Sequence, residues 1–479
     1  MNYKMIIYIL GMVLKIEAVF MTLPCLVAVI YREKSGYAFL LVMLLCFLLG
    51  QIMTMKRPSN KIFYTREGFV TVALCWIMMS IIGALPFLIS GEIKGVVDAL
   101  FETVSGFTTT GASILSDVES MSHCALFWRS FTHWIGGMGV LVFVLAVLPF
   151  GGGNDIHLMR AESPGPSVGK FVPKVRSTAM ILYGIYIVIT IIEVLFLLAG
   201  KMPLFEALCS TFGTAGTGGF GVKNDSFSSY SPYLQYVVTV FMILFGINFN
   251  VYFLLLIRKF AQAFKFEEIR YYLGIILVAI LIVTFDIHKL FPNWESAFRH
   301  ASFQVASIIT TTGFSTVDFD LWPQMSKTIL VMLMFVGACA GSTGGGIKVS
   351  RFVILLKTVK KELNTLIHSR NIKKIQINGR SVEHEVVRSV NVFLIAYVMV
   401  FSFSVLLISV DEFNLTSNFT AVAATLNNIG PGLEMVGPSQ NFGMFSGFSK
   451  LVLIFDMLAG RLELFPLLIL FKPATWRRN

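Results

Sequence analysis

Long apolar runs alternate with short polar stretches along the whole chain. Runs long enough to cross a hydrocarbon core as helix, roughly 20 residues, lie near 6–30, 37–55, 68–90, 125–149, 177–200, 233–257, 271–289, 327–356, 387–410 and 447–471. They predict about ten membrane spans. The runs are continuous rather than alternating, which excludes a sheet or barrel reading. The first run resembles a leader in length, but Lys15 and Glu17 interrupt it and no clear small-residue cleavage site follows. It is therefore read as a first membrane helix.

The connections between runs are of two kinds. One kind is basic: 56–61, 151–176 with Arg160, Lys170, Lys174 and Arg176, 258–270, and the long 357–388 segment, with the C-terminal WRRN. The other is acidic or neutral and holds Asp117, Glu119, Asp318, Asp320, Asp411 and Glu412. Their alternation and the positive-inside rule predict both termini and the basic loops on the cytoplasmic side. Arg32 and Lys34, in an expected outer turn, run against it.

Composition adds one point. With 56% hydrophobic and 14% charged residues, and a net charge of +11, the chain is far poorer in charge than a soluble domain, which carries roughly 25%. The positive excess follows the basic loops and so does not mark a nucleic-acid binder. Six cysteines lie mostly in apolar runs, without metal spacing or a paired pattern, and read as buried thiols.

After the first two spans, the outer connections repeat. Each remaining pair of runs brackets a semi-apolar stretch ending in glycine: DALFETVSGFTTTG (98–111), FEALCSTFGTAGTG (205–218), HASFQVASIITTTG (300–313) and SNFTAVAATLNNIG (417–430). Their period, near a hundred residues, is one span–reentrant loop–span unit. Each stretch is too short to span and predicts a half-helix followed by an extended return. Irregular backbone at membrane depth survives only against protein or lining water. Four such returns around one axis would replace an ion's hydration shell with backbone carbonyls. Glycine supplies the backbone freedom, and the C-terminal ends of the half-helices favour a cation. The windows Thr108–Ser113, Gly216–Phe220, Thr311–Ser315 and Asn428–Pro431 carry no acidic side chain, which favours a monovalent cation over calcium or magnesium. The plain alternative for any one repeat is a helix ended by a glycine cap.

A broken span follows. VMLMFVGACAGSTGGGIKVSR (331–351) loses helical character over Gly337–Gly346, as helices at transport sites do. GSTGGGIK is not a phosphate-binding loop, because Ile347 stands where the lysine should be and no strand precedes it. Downstream, Arg461 lies within an apolar run, where an arginine is costly and functional by default. Its plain alternative is a partner for Asp456 or Glu463. His133 and Trp134 beside Gly136 and Gly137 suggest close helix packing, and Asn248 and Asn250 either line a cavity or bond between helices.

GFTTTGAS, GTGGF (216–220), TTTGFST (310–316), LNNIGPG (426–432), GSTGGGIK (341–348) and GRLELF (460–465) resemble the Trk/Ktr/HKT superfamily of cation transporters over nearly the whole chain. The two extra N-terminal spans favour its TrkH branch. The resemblance implies an all-α polytopic fold of four pseudo-symmetric span–reentrant pore loop–span units around one pore, plus two N-terminal spans. The expected divisions are 1–60, 61–165, 166–262, 263–365 and 366–479. It implies a potassium filter formed by the carbonyls of Thr109, Thr110 and Gly111, of Gly216, Thr217 and Gly218, of Thr311, Thr312 and Gly313, and of Asn428, Ile429 and Gly430. It further implies a gate at Gly341, Ser342, Thr343, Gly344, Gly345 and Gly346 with Arg461. A homodimer is expected, with a cytoplasmic TrkA-type nucleotide-binding subunit as partner, lipid around it, potassium as substrate, and no covalent cofactor. The alternative class is a secondary symporter coupled to sodium or protons. An enzyme is not expected, since Glu102, His133, His300 and Glu434 are dispersed without nucleophile–base spacing.

Overall fold

The computed structural model describes residues 1–58, 64–139, 175–368 and 374–477. Two N-terminal helices, α1 (Tyr3–Tyr31) and α2 (Gly36–Thr54), form a tightly packed hairpin against the rest. Four successive groups follow, each a long helix, a short helix and a returning helix. The first comprises α3 (Thr65–Ser90), α4 (Val96–Phe107) and α5 (His123–Gly137). The second comprises α6 (Val175–Ala199), α7 (Leu204–Gly216), α8 (Pro232–Phe245) and α9 (Phe249–Leu256), with the small α10 (Phe260–Phe264) after it. The third comprises α11 (Glu267–Ile287), α12 (Trp294–Ile309), α13 (Gln324–Phe335) and α14 (Val349–Ile367). The fourth comprises α15 (His384–Ile408), α16 (Leu415–Leu426), α17 (Gly447–Arg461) and α18 (Phe465–Leu468). A two-stranded antiparallel hairpin, β1 (Gln376–Ile377) and β2 (Arg380–Ser381), precedes α15.

Among the described residues, six helices are long and apolar enough to cross a membrane: α1, α2, α3, α6, α11 and α15. The run expected near 125–149 is helical as α5, and its later part lies outside the described residues, as does most of the basic 151–176 loop. Three expected spans are interrupted. The run at 233–257 bends by 90° between α8 and α9. Gly246 packs under the Tyr272 ring of α11, and a side chain there would overlap the Tyr272 hydroxyl. The run at 327–356 divides into α13 and α14 around a non-helical segment, 336–348. The run at 447–471 stops at Arg461, where Glu463 and Leu464 take positive φ values of 54° and 68°.

The four short helices α4, α7, α12 and α16 hold 12, 13, 16 and 12 residues. At 1.5 Å per residue they reach about 18–24 Å, less than the roughly 30 Å hydrocarbon core. Their last two turns are buried: Phe101–Phe107, Cys209–Gly216, Ala301–Ile309 and Thr420–Leu426 all lie inside. These helices therefore end in the protein interior, and the backbone beyond each of them is shielded.

Candidate functional site

The four short helices end in the same way. Just past each helix a non-glycine residue takes the left-handed conformation: Thr109 (φ 55°), Thr217 (54°), Thr311 (59°) and Asn428 (55°). Two residues later a glycine is again positive: Gly111 (78°), Gly219 (82°), Gly313 (88°) and Gly430 (102°). The amide between them turns back onto the helix. Thr110, Gly218, Thr312 and Ile429 each donate to the carbonyl five residues earlier, at 2.9, 2.8, 2.8 and 2.8 Å. The first positive residue is an ordinary helix terminus, but a simple glycine cap does not account for the second.

This geometry corrects the second repeat by one residue. Its counterpart of Gly111, Gly313 and Gly430 is Gly219, not Gly218, and Gly216 is still the last residue of α7. The equivalent triplet is Thr217–Gly218–Gly219. The sequence there offers two adjacent glycines, and the hydrogen bond from Gly218 to Gly213 settles which one matches.

The four triplets close on one another. A Cβ on Gly111 would overlap the carbonyl oxygen of Gly218, one on Gly219 that of Thr312, and one on Gly313 that of Ile429. Completing the cycle, a Cβ on Gly430 would lie 2.9 Å from the oxygen of Thr110. Each glycine thus abuts the middle carbonyl of the next unit, and the fourth returns to the first. The threonine hydroxyls serve the frame: Thr108 bonds Thr110 and Thr310 bonds Thr312, both at 2.8 Å. In the fourth unit Asn428 Nδ2 donates to Thr110 Oγ1 and to the Met457 carbonyl, each at 2.9 Å. Asparagine there ties the fourth triplet to the first.

Charged residues brace the ring from behind. Glu102, on α4, accepts from Arg129 Nε at 2.6 Å, from Ser113 Oγ at 2.9 Å and from the Ile114 amide at 3.0 Å. Arg129 also donates to the Gly221 carbonyl at 3.0 Å and lies 3.5 Å above the Phe220 ring. His133 links Gly106 O (2.8 Å) to the Phe220 amide (3.2 Å), which bridges the first and second units. In the sequence Glu102 and His133 stand 31 positions apart and look dispersed, and Arg129 carries no motif. Their signal is a charge or imidazole on an otherwise apolar, buried helix.

The segment 336–348 sits against the ring. The Gly345 amide donates to Thr311 Oγ1 at 2.7 Å, and a Cβ on Gly345 would lie 2.8 Å from both Asn427 O and Asn428 Cβ. Thr343, Gly344 and Gly345 are buried, while Gly341, Ser342 and Gly346 are half-buried. The segment also fills the break between α8 and α9. Phe249 N–H donates to Gly341 O at 2.9 Å and Cys339 N–H to Gly246 O at 3.1 Å. Asn248 caps α9, accepting from the Asn250 amide at 3.0 Å, and its side chain also bonds Glu268 of α11, so of the two expectations the bond between helices is the one seen. Lys348 Nζ donates to Gly345 O at 3.2 Å and to Gly344 O.

Arg461 reaches this segment. It donates to Thr343 O at 2.9 Å and to Gly137 O at 2.8 Å, and also to Gly136 O. Glu463 instead pairs with Arg351, and Asp456 accepts from Ser404 Oγ at 2.6 Å. The structure therefore brings the three glycine-rich features of the sequence, the four triplets, the 341–346 segment and the end of α5 at Gly136 and Gly137, to one place around Arg461 and Asn428.

A family model described as a cation transport protein, TrkH, matches residues 35–478. The Trk system potassium uptake protein TrkH of Salmonella typhimurium is 37% identical, with all of both chains covered. That of Escherichia coli K12 is 36% identical over the same share. The crystal structure of the potassium transporter TrkH from Vibrio parahaemolyticus superposes with a TM-score of 0.89 at 34% identity, again covering both chains completely. With its helical fold, its four buried half-helices and these matches, the chain belongs to the TrkH family of cation transport proteins.

Proposed function

We propose that this chain takes up potassium across the bacterial cytoplasmic membrane through a gated pore. Its filter is the backbone of Thr109–Gly111, Thr217–Gly219, Thr311–Gly313 and Asn428–Gly430. The observation that carries this reading is the cyclic contact of each glycine with the next unit's carbonyl. A dehydrated monovalent cation needs several neutral oxygens at once, and a closed ring of carbonyls offers them without a carboxylate. The four helix C-termini add partial negative charge directed at the same place. Segment 341–346 is the gate and Arg461 its electrostatic barrier. A guanidinium roughly 7 Å from a permeating cation costs about 2 kcal/mol at an effective dielectric constant near 20. The relatives' names speak of a Trk system, which supports a partner subunit; a homodimer and a cytoplasmic TrkA-type nucleotide-binding partner are part of the proposal. The basic 357–388 region is its docking surface, and both termini are cytoplasmic.

A second reading, symport with protons, rests on one observation. Glu17, Glu193 and Asp456 are buried within helices, and carboxyl oxygens of each have no hydrogen-bond partner among the described residues. Flux in liposomes separates the two: currents that follow the potassium gradient and ignore pH favour the pore. The filter itself is tested by rubidium uptake in cells lacking their own potassium uptake. Wild type restores uptake and Gly313→Ser abolishes it; equal uptake by both would sink the filter assignment.

A further inference from the structure

Glu268 is the second residue of α11 and only 6% exposed. Its Oε1 accepts from the Ala340 amide at 2.7 Å and from the Ser350 amide at 3.1 Å. These two amides flank the glycine-rich stretch of the intramembrane segment, one at each end. One carboxylate oxygen therefore holds both ends of 341–348 together, in two charge-assisted bonds of the stronger kind.

The neighbouring residue, Glu267, faces the cytoplasmic hairpin. Asn378 and Gly379 form its two-residue turn, with φ values of 52° and 74°, the geometry that an Asn-Gly hairpin turn requires. Asn378 Oδ1 accepts from the Glu267 amide at 2.8 Å, capping the first turn of α11 from outside. Lys357 of α14 pairs with Glu267 and donates to the Gln376 carbonyl at 2.6 Å. Hairpin, α14 and the start of α11 are thus joined at one residue, and the next residue holds the intramembrane segment.

We propose that Glu268 is the latch of the intramembrane segment and that the Gln376–Ser381 hairpin is the lever that sets it. Lifting the hairpin removes the Asn378 cap and strains the Glu267–Lys357 pair. The first turn of α11, whose amides depend on outside acceptors, then frays and withdraws Glu268 from Ala340 and Ser350. This inference rests on the gating role proposed above for 341–346. Glu268 acts through the segment's backbone and is a positioning residue.

The test uses the full-length protein in liposomes, with rubidium flux and alkylation of Cys339 as paired readouts. Cys339 lies in the segment and is fully buried, so its labelling, mapped by mass spectrometry, reports release of the latch apart from conduction. Glu268→Ala is expected to raise flux about tenfold, the population shift that follows when bonds present only in the closed state are lost, and to expose Cys339. Glu268→Gln, which keeps an acceptor oxygen, stays near wild type. Asn378→Ala, on an exposed turn where folding is safe, raises both readouts in the same direction. Wild-type labelling of Cys339 in both Ala variants would overturn the latch, and so would a fall in flux without labelling. Gly345→Ala separates the two ideas: if it alters flux while the Glu268 and Asn378 variants do nothing, the gate stands and the latch falls. If Gly345→Ala leaves flux unchanged, the gate reading itself fails, while Cys339 labelling still reads whether Glu268 holds the segment.

Discussion

Four glycines carry the ring, and each is constrained twice. Gly219 takes a φ of 82°, and a side chain there would run into the Thr312 carbonyl. Gly221, two residues on, has its nearest neighbour at 3.6 Å and ordinary backbone. Rubidium uptake should therefore be lost in Gly219→Ala and kept in Gly221→Ala; the reverse order would refute the corrected register of the second triplet. Arg129 and Glu102 make a second prediction. Their side chains are 3% and 0% exposed, so removing one partner strands a buried charge at a cost of about 3–5 kcal/mol. Arg129→Met should lower the thermal unfolding midpoint of the purified protein markedly. An unchanged midpoint would show that the pair does not support the ring.

At the scale of elements, the α1–α2 turn is held by a carboxylate. Glu33 accepts from the His123 and Cys124 amides at 2.7 and 3.0 Å and from His123 Nδ1 at 2.8 Å, so it caps α5 from the N-terminal hairpin. Burial pushes the Glu33 carboxyl up, but the amides of Cys124 and His123 outweigh it and hold the group below its usual value. A carboxyl lowered in the folded state stabilises fully above its unfolded pKa, and the contribution is lost as pH falls through the folded one. Glu33→Gln should then unfold earlier than wild type at pH 7, with the difference closing below about pH 4, under the ordinary glutamate value. A difference that persists unchanged at low pH would assign it to packing instead.

Elements were legible in the sequence where their cause is local. Six spans and all four half-helices follow from run length and from the small or hydroxyl residues that end them. The break at Gly246–Asn248 was hidden because the run contains no proline, and its cause lies in another unit: Gly341 O and the Cys339 amide meet it from the intramembrane segment. Arg129 was missed because its partner stands 27 positions away, beyond any helical period. The second triplet was misaligned by one residue because TGG gives two candidate glycines, and only the fold chooses between them. The intramembrane segment and Arg461 were legible because both are costly in an apolar run.

At the scale of the whole molecule, the four units are equivalent in their half-helices and unlike in what they add. The second contributes a bent helix, the third a glycine-rich segment, and the fourth an arginine that donates to that segment and to the end of α5. In the function proposed above, the pore has one closure, assembled from different units. Arg461→Ala removes its positive charge and three hydrogen bonds to backbone carbonyls. Rubidium flux should rise by about tenfold or more, as a barrier lowered by about 2 kcal/mol implies. Unchanged or lower flux at normal expression would contradict the barrier role.

The central claim is that the four backbone triplets bind the permeating cation. Anomalous diffraction from crystals soaked in rubidium tests it directly. Rubidium density is expected inside the carbonyls of Thr109–Gly111, Thr217–Gly219, Thr311–Gly313 and Asn428–Gly430, and is expected to be lost in Gly313→Ser. Rubidium bound instead beside Glu17, Glu193 or Asp456, with none inside the ring, would contradict it.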